Sequence, residues 1–129
     1  MFKGFKKKFV KVNKGKIFCR VGGKGPPLLL LHGYPQSHVM WHKTATELSK
    51  SFTIIIADLR GYGSSFVLKS DSKHVNYSKR EMAKDMVQLM DKLGFKKFFI
   101  AGHDRGGRVA HRLARDFRKK VIAMSVLDI

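Results

Sequence analysis

The stretch "IAGHDRGGRVAH", residues 100–111, decides how the chain is read. Its first half continues "KKFF" (96–99) into an apolar run, the pattern of a strand buried on both faces of a sheet. Its second half leads into "GRVAHRLARDF", where Val109, Ala110, Leu113, Ala114 and Phe117 share one side of a helix. Between them stands Gly102-x-Asp104-x-Gly106-Gly107, which leaves no length for a loop. A polar side chain on so tight a strand-to-helix turn is pushed out beyond the carboxyl end of the strand, and flanking glycines remove the side chains that would block the bend. The helix, expected to begin near Gly106, aims its first N–H groups at the turn and favours negative charge there. Asp104 thus occupies a nucleophile's seat.

Working outward, the other segments supply a sheet for that turn. "FVKVNKGKIFCRV" (9–21) alternates around Asn13-Lys14-Gly15 as a hairpin does. "LLLLHG" (28–33) and "FTIIIADLRGYG" (52–63) are buried-strand runs ending in glycine turns, with Trp41, Ala45 and Leu48 marking a short helix between them. "NYSKREMAKDMVQLMDKLGF" (76–95) is a helix with Ser78 and Glu81 as a capping box, an apolar stripe of Met82, Met86, Leu89, Met90 and Leu93, and Gly94 as its stop. "VIAMSVLDI" (121–129) is expected to be a fourth buried strand. Strands alternating with helices predict an α/β architecture, a mostly parallel sheet with helices on both faces.

Composition narrows the function classes. The chain has 27 Lys and Arg against 9 Asp and Glu, a net charge of +18, so polyanions would be attracted to it. The basic residues are nevertheless scattered, and no recognition helix, finger spacing or aromatic RNA-binding motif accompanies them, so nucleic acid is not the expected partner. No apolar run is long enough to span a bilayer and the Lys-rich start lacks the apolar core of a signal peptide, which predicts a cytoplasmic protein without membrane association. The single Cys19 fits a reducing compartment as a small half-buried residue. His38-x-x-x-His42 has the spacing of a zinc pair but lacks a third ligand, and both histidines are expected on or near a surface helix; neither "GGKGPP" nor Gly61-Tyr62-Gly63 has the pattern of a phosphate-binding loop. No metal or cofactor is expected.

An aspartate in a nucleophile's seat suits attack on a saturated carbon: the carboxylate displaces a leaving group, becomes an ester, and is regenerated when water attacks the ester carbonyl. The hydrolytic step needs N–H donors for an oxyanion. Two are in place by sequence, the backbone N–H of Arg105, which follows the nucleophile, and that of Tyr34, which follows His32-Gly33.

Together "LLLLHGYPQSHVMW", "IIADLRGYGSS", "YSKREMAKDMVQLMDKLGF", "IAGHDRGGRVAHRLA" and "VLDI" resemble the haloacetate (fluoroacetate) dehalogenase group of α/β-hydrolase-fold proteins. The most specific element is "DRGGR", since epoxide hydrolases and haloalkane dehalogenases usually carry Trp where this chain has Arg105. The resemblance implies that Arg105 and Arg108 hold the carboxylate of a small anionic 2-haloacid while Asp104 attacks the adjacent carbon, and that Asp128 is the acid that orients a histidine base. An always-charged guanidinium fork gives this a physical reason, because an anionic nucleophile approaching an anionic substrate needs its charge neutralised. In the family that base lies near the chain's end, beyond a helical cap domain. Residues 1–129 are therefore expected to be the N-terminal part of an incomplete hydrolase domain, truncated before the cap and final strands, able at most to form the ester. The other readings are an epoxide hydrolase of the same fold and a non-catalytic basic binding module; a homodimer stays open.

Overall fold

Six strands form one sheet in the order β1-β2-β4-β3-β5-β6 in the computed structural model, which describes residues 1–69 and 71–128. β1 (Lys6–Lys11) and β2 (Lys16–Gly23) are the expected hairpin, and β2 continues antiparallel onto β4 (Thr53–Ala57). β3 (Pro27–Leu31), β4, β5 (Phe98–His103) and β6 (Val121–Leu127) run parallel; β3 and β4 are buried from both sides, β5 leaves Phe99 and Ala101 only partly buried on one face, and β6 is exposed. Leu29 faces Ile55 on one side and Ile100 on the other.

Helices cover the two faces. On one, α2 (Lys79–Lys92) and α3 (Arg105–Asp116) bury Met82, Met86, Leu89, Val109 and Leu113 against Leu29, Leu31 and Ile55. On the other, α1 (His42–Leu48) and the 3-10 turn before it pack Trp41 and Ala45 on Leu28, Leu30, Ile54 and Ile56. After β3 the chain crosses to β4 on one side, whereas β5 lies on the other. Such a topological switch opens a crevice at the carboxyl ends of the strands. Leu31 stands opposite Gly102 in the register, so His32-Gly33-Tyr34 and His103-Asp104 emerge side by side.

Four expectations are corrected. β6 is not buried: Ile122 is 51% exposed and Leu127 44%, because the strand lies at the sheet edge, packed mainly against β5 and α3; Ile129 itself lies outside the described residues. The Ser78–Glu81 box is half made, since the Ser78 side chain accepts from the Glu81 N–H (3.2 Å) while the Glu81 carboxylate pairs with Lys84 at 3.0 Å. Cys19 is fully buried, and burial pushes its thiol up to about 12, which leaves it inert. His38 is not a surface residue but is held inside by Asp58, whose carboxylate accepts from the His38 N–H at 2.7 Å and contacts its Nδ1 at 2.9 Å, while Arg20 Nε donates to its Nε2.

Candidate active site

The turn between β5 and α3 has the geometry its glycines predict. Asp104 takes φ 53° and ψ −115°, a conformation that costs a non-glycine residue energy and that clusters at functional sites. A Cβ on Gly102 would come within 2.3 Å of the Gly106 carbonyl oxygen, and one on Gly106 within 2.4 Å of that of His32, so neither position admits a side chain. The helix starts one residue earlier than expected, at Arg105, and Asp104 is its N-cap.

The two expected N–H donors both reach Asp104. The Tyr34 N–H donates to Oδ2 at 3.0 Å, and the Arg105 N–H is a second donor to the carboxylate. These bonds, ahead of any other influence, hold the Asp104 carboxyl below the ordinary range, with His103 and Arg108 adding to the effect. Oδ2 thus already occupies the place where negative charge would develop on an ester oxygen.

Arg105 is fixed by aromatic side chains. Its guanidinium donates to the Tyr62 hydroxyl, and its Cζ lies 4.9 Å from the centre of the Tyr34 ring. Tyr62 packs edge-on against Tyr34 and against His32, whose Nε2 accepts from the Leu59 N–H at 3.0 Å while its Nδ1 faces the Gly33 carbonyl at 2.9 Å. Nδ1 therefore carries the proton, and burial lowers the His32 pKa, so the ring is a neutral tie between the ends of β3 and β4. Arg108 is exposed one turn further along α3, its N–H bonded to the Asp104 carbonyl.

Asp128 follows β6 with its side chain 89% exposed and Oδ2 3.7 Å from His103 Nε2. The Asp104 N–H bonds to the Leu127 carbonyl, which puts Asp128 next to the turn that bears Asp104. His103 Nδ1 contacts Gln36 Oε1 at 3.1 Å, and the same oxygen accepts from the Gly33 N–H, so His103 joins the two turns. No group of three His, Cys, Asp or Glu able to hold a metal occurs among the described residues.

Residues 26–129 match the model of the alpha/beta hydrolase fold family. The chain belongs to that family. It is 50% identical over all 129 residues to a fluoroacetate dehalogenase of Burkholderia sp, of which it covers 42%, and 38% identical over 118 residues (92% of the chain) to a soluble epoxide hydrolase of Corynebacterium sp. (strain C12), of which it covers 40%. A crystal structure from Nostoc sp PCC 7120, described as an alpha/beta hydrolase, superposes with a TM-score of 0.98 at 52% identity, over 100% of this chain and 44% of that one. The chain thus spans about two fifths of the length of these relatives.

Within this α/β-hydrolase frame, the strand ends bring together Asp104, Arg105, Tyr34 and Asp128, and leave Arg108 at the rim. Sequence reasoning missed Tyr62, which it treated only as part of a turn, and Lys79, which lies within electrostatic reach of Asp104, Arg105 and Arg108. Neither is marked by spacing to the nucleophile.

Proposed function

We propose that this chain carries the nucleophile and the carboxylate seat of a hydrolase that displaces halide from a small 2-haloacid such as a haloacetate. The observation that carries the reading is Arg105, a guanidinium fixed by Tyr34 and Tyr62 directly after Asp104. A neutral epoxide has no charge for that group to meet, whereas the carboxylate of a haloacid does.

The geometry supports a definite division of labour. With Oδ2 held by the Tyr34 N–H, the other Asp104 oxygen forms the new C–O bond to the halogen-bearing carbon, and the halide leaves with the electron pair of the broken bond. Arg105 and Arg108 hold the substrate carboxylate. Water attack on the ester carbonyl, its proton passing to a histidine base, then moves charge onto Oδ2, where the Tyr34 and Arg105 N–H groups receive it; collapse breaks the ester C–O bond, the leaving oxygen takes that proton as the 2-hydroxyacid departs, and the Asp104 carboxylate is restored. Asp128 is assigned, as the resemblance implies, the role of the acid that orients a histidine base.

Intact-mass spectrometry after incubation with chloroacetate tests the reading. In the 129-residue chain the ester is expected on Asp104 and absent from Asp104→Asn. An adduct with styrene oxide but none with chloroacetate would replace the haloacid reading by the epoxide one.

A further inference from the structure

Gln36 stands between the two turns that meet at Asp104 and has no part in the proposed reaction. Its Oε1 accepts from the Gly33 N–H at 3.0 Å and lies 3.1 Å from Nδ1 of His103. The Gly33 N–H can only donate, which fixes the side-chain oxygen, not the amide nitrogen, on that side. An oxygen facing Nδ1 in turn requires the proton there, so His103 donates to Gln36. The backbone of Gln36 adds a third bond, its N–H donating to the Gly33 carbonyl at 2.8 Å. Gln36 thus grips Gly33 by both of its backbone polar groups and clips it to His103, the neighbour of Asp104.

These bonds act on one peptide plane. The Gly33 carbonyl is held by the Gln36 N–H and faces His32 Nδ1 at 2.9 Å. The Gly33–Tyr34 peptide is trans, so its N–H points opposite to that carbonyl, toward Asp104 Oδ2 at 3.0 Å. Turned over, the same plane would set a carbonyl oxygen against the carboxylate in place of a donor. The spacing of the turns is fixed by contact: a Cβ on Gly33 would lie 2.6 Å from Asp104 Cβ and 2.9 Å from His103 Nδ1. Contact does not choose which way the plane faces, because glycine leaves the backbone free to rotate. The hydrogen bonds to Gln36 do.

We propose that Gln36 is a positioning residue, which through Gly33 and His103 keeps the Tyr34 N–H aimed at Asp104 Oδ2 as charge leaves that oxygen and returns to it. No bond is made or broken at Gln36. The use of that aim in catalysis rests on the hydrolase reading above, whereas the aim itself does not.

The test is NMR of the 129-residue chain, with the Tyr34 amide proton and the Asp104 carboxyl as reporters. Because the Tyr34 N–H helps to hold the Asp104 carboxyl below the ordinary range, a donor that turns away lets the carboxyl rise. Gln36→Met keeps the length and removes the acceptor. In it the Asp104 midpoint is expected to rise toward the ordinary value of about 3.9, and the Tyr34 proton to move upfield. Ser37→Ala, which removes the hydroxyl that caps the following turn, should move neither reporter. The proposal is overturned if Gln36→Met leaves both reporters in place, or if Ser37→Ala moves them as far. A second pair reads the brace from its other end. His103→Asn, whose amide N–H can stand where Nδ1 stood, should keep the Tyr34 proton in place, and His103→Leu should shift it upfield. Equal positions in these two would overturn the brace even where Gln36→Met does not fold. Neither reporter needs a haloacid, so the absence of a chloroacetate ester on Asp104 would sink the haloacid reading and leave the brace standing.

Discussion

At the residue scale, the proposed carboxylate seat depends on the aim of one guanidinium. Arg has rotamer freedom to lose, and a carboxylate seat works best when that loss is met before substrate arrives. Tyr62 meets it by accepting from Arg105 while its ring leans on Tyr34 and His32. Tyr62→Phe keeps the ring and removes the acceptor, so acetate affinity should fall about threefold to tenfold, the worth of one hydrogen bond of ~0.5–1.5 kcal/mol, with no change in the melting temperature beyond a degree or two. A large drop in stability would instead make Tyr62 a packing residue. Asp104 and the Tyr34 N–H were legible in the sequence because strand, glycine turn and helix are local patterns that fix where they emerge. Tyr62 and Lys79 were not, because their positions depend on contacts with residues distant in the chain. His32 adds a pH signature. Its pKa is lowered in the folded state, so the stability of the neutral ring is fully present above the ordinary value of about 6.5 and is lost as pH falls through the depressed folded value. NMR titration of the ring should therefore place its midpoint below the ordinary histidine value of about 6.5, and a midpoint at or above that value would remove the neutral tie between β3 and β4.

At the scale of elements, α2 is joined to the sheet by more than its methionines. Arg60, 2% exposed, follows β4 and grips Asp85 of α2 through Nε and Nη2 at 2.6 and 2.7 Å, with Nη1 donating to the Asn76 carbonyl and its Cζ over Phe66. Removing one partner leaves a buried charge without its counter-ion, so Asp85→Asn should cost about 3–5 kcal/mol in urea unfolding, and the pair Arg60→Met, Asp85→Leu markedly less. Equal losses in the two would mean that packing, not charge, dominates at this joint. Strands and helices were readable because their apolar periods are local. This buried pair was not, and neither was Asp58 with His38 and Arg20, since partners on different elements leave no spacing signal. β6 illustrates the converse limit: an apolar run states that a strand could be buried, but what covers it lies outside the run.

At the scale of the molecule, two features oppose each other. One is an apolar face where Leu28, Trp41, Phe99, Met124 and Leu127 line a groove between α1 and β6, beside a strand whose outer edge has no neighbour in the sheet among the described residues. Such an edge is a template for pairing with another chain. The other is the charge of +18, which drives copies of the chain apart. Charge repulsion is long-ranged and screened, with a Debye length of about 30 Å at 0.01 M salt and about 8 Å at 0.15 M, whereas apolar contact is short-ranged and insensitive to such screening. Repulsion should therefore dominate in dilute buffer and association in salt. Sedimentation velocity of the 129-residue chain is expected to show one small species at low ionic strength and larger ones as salt is raised. Met124→Lys, which places a charge on the exposed strand, should hold the chain at the small species throughout. A sedimentation profile that ignores both salt and Met124→Lys would show that the groove and edge do not govern association.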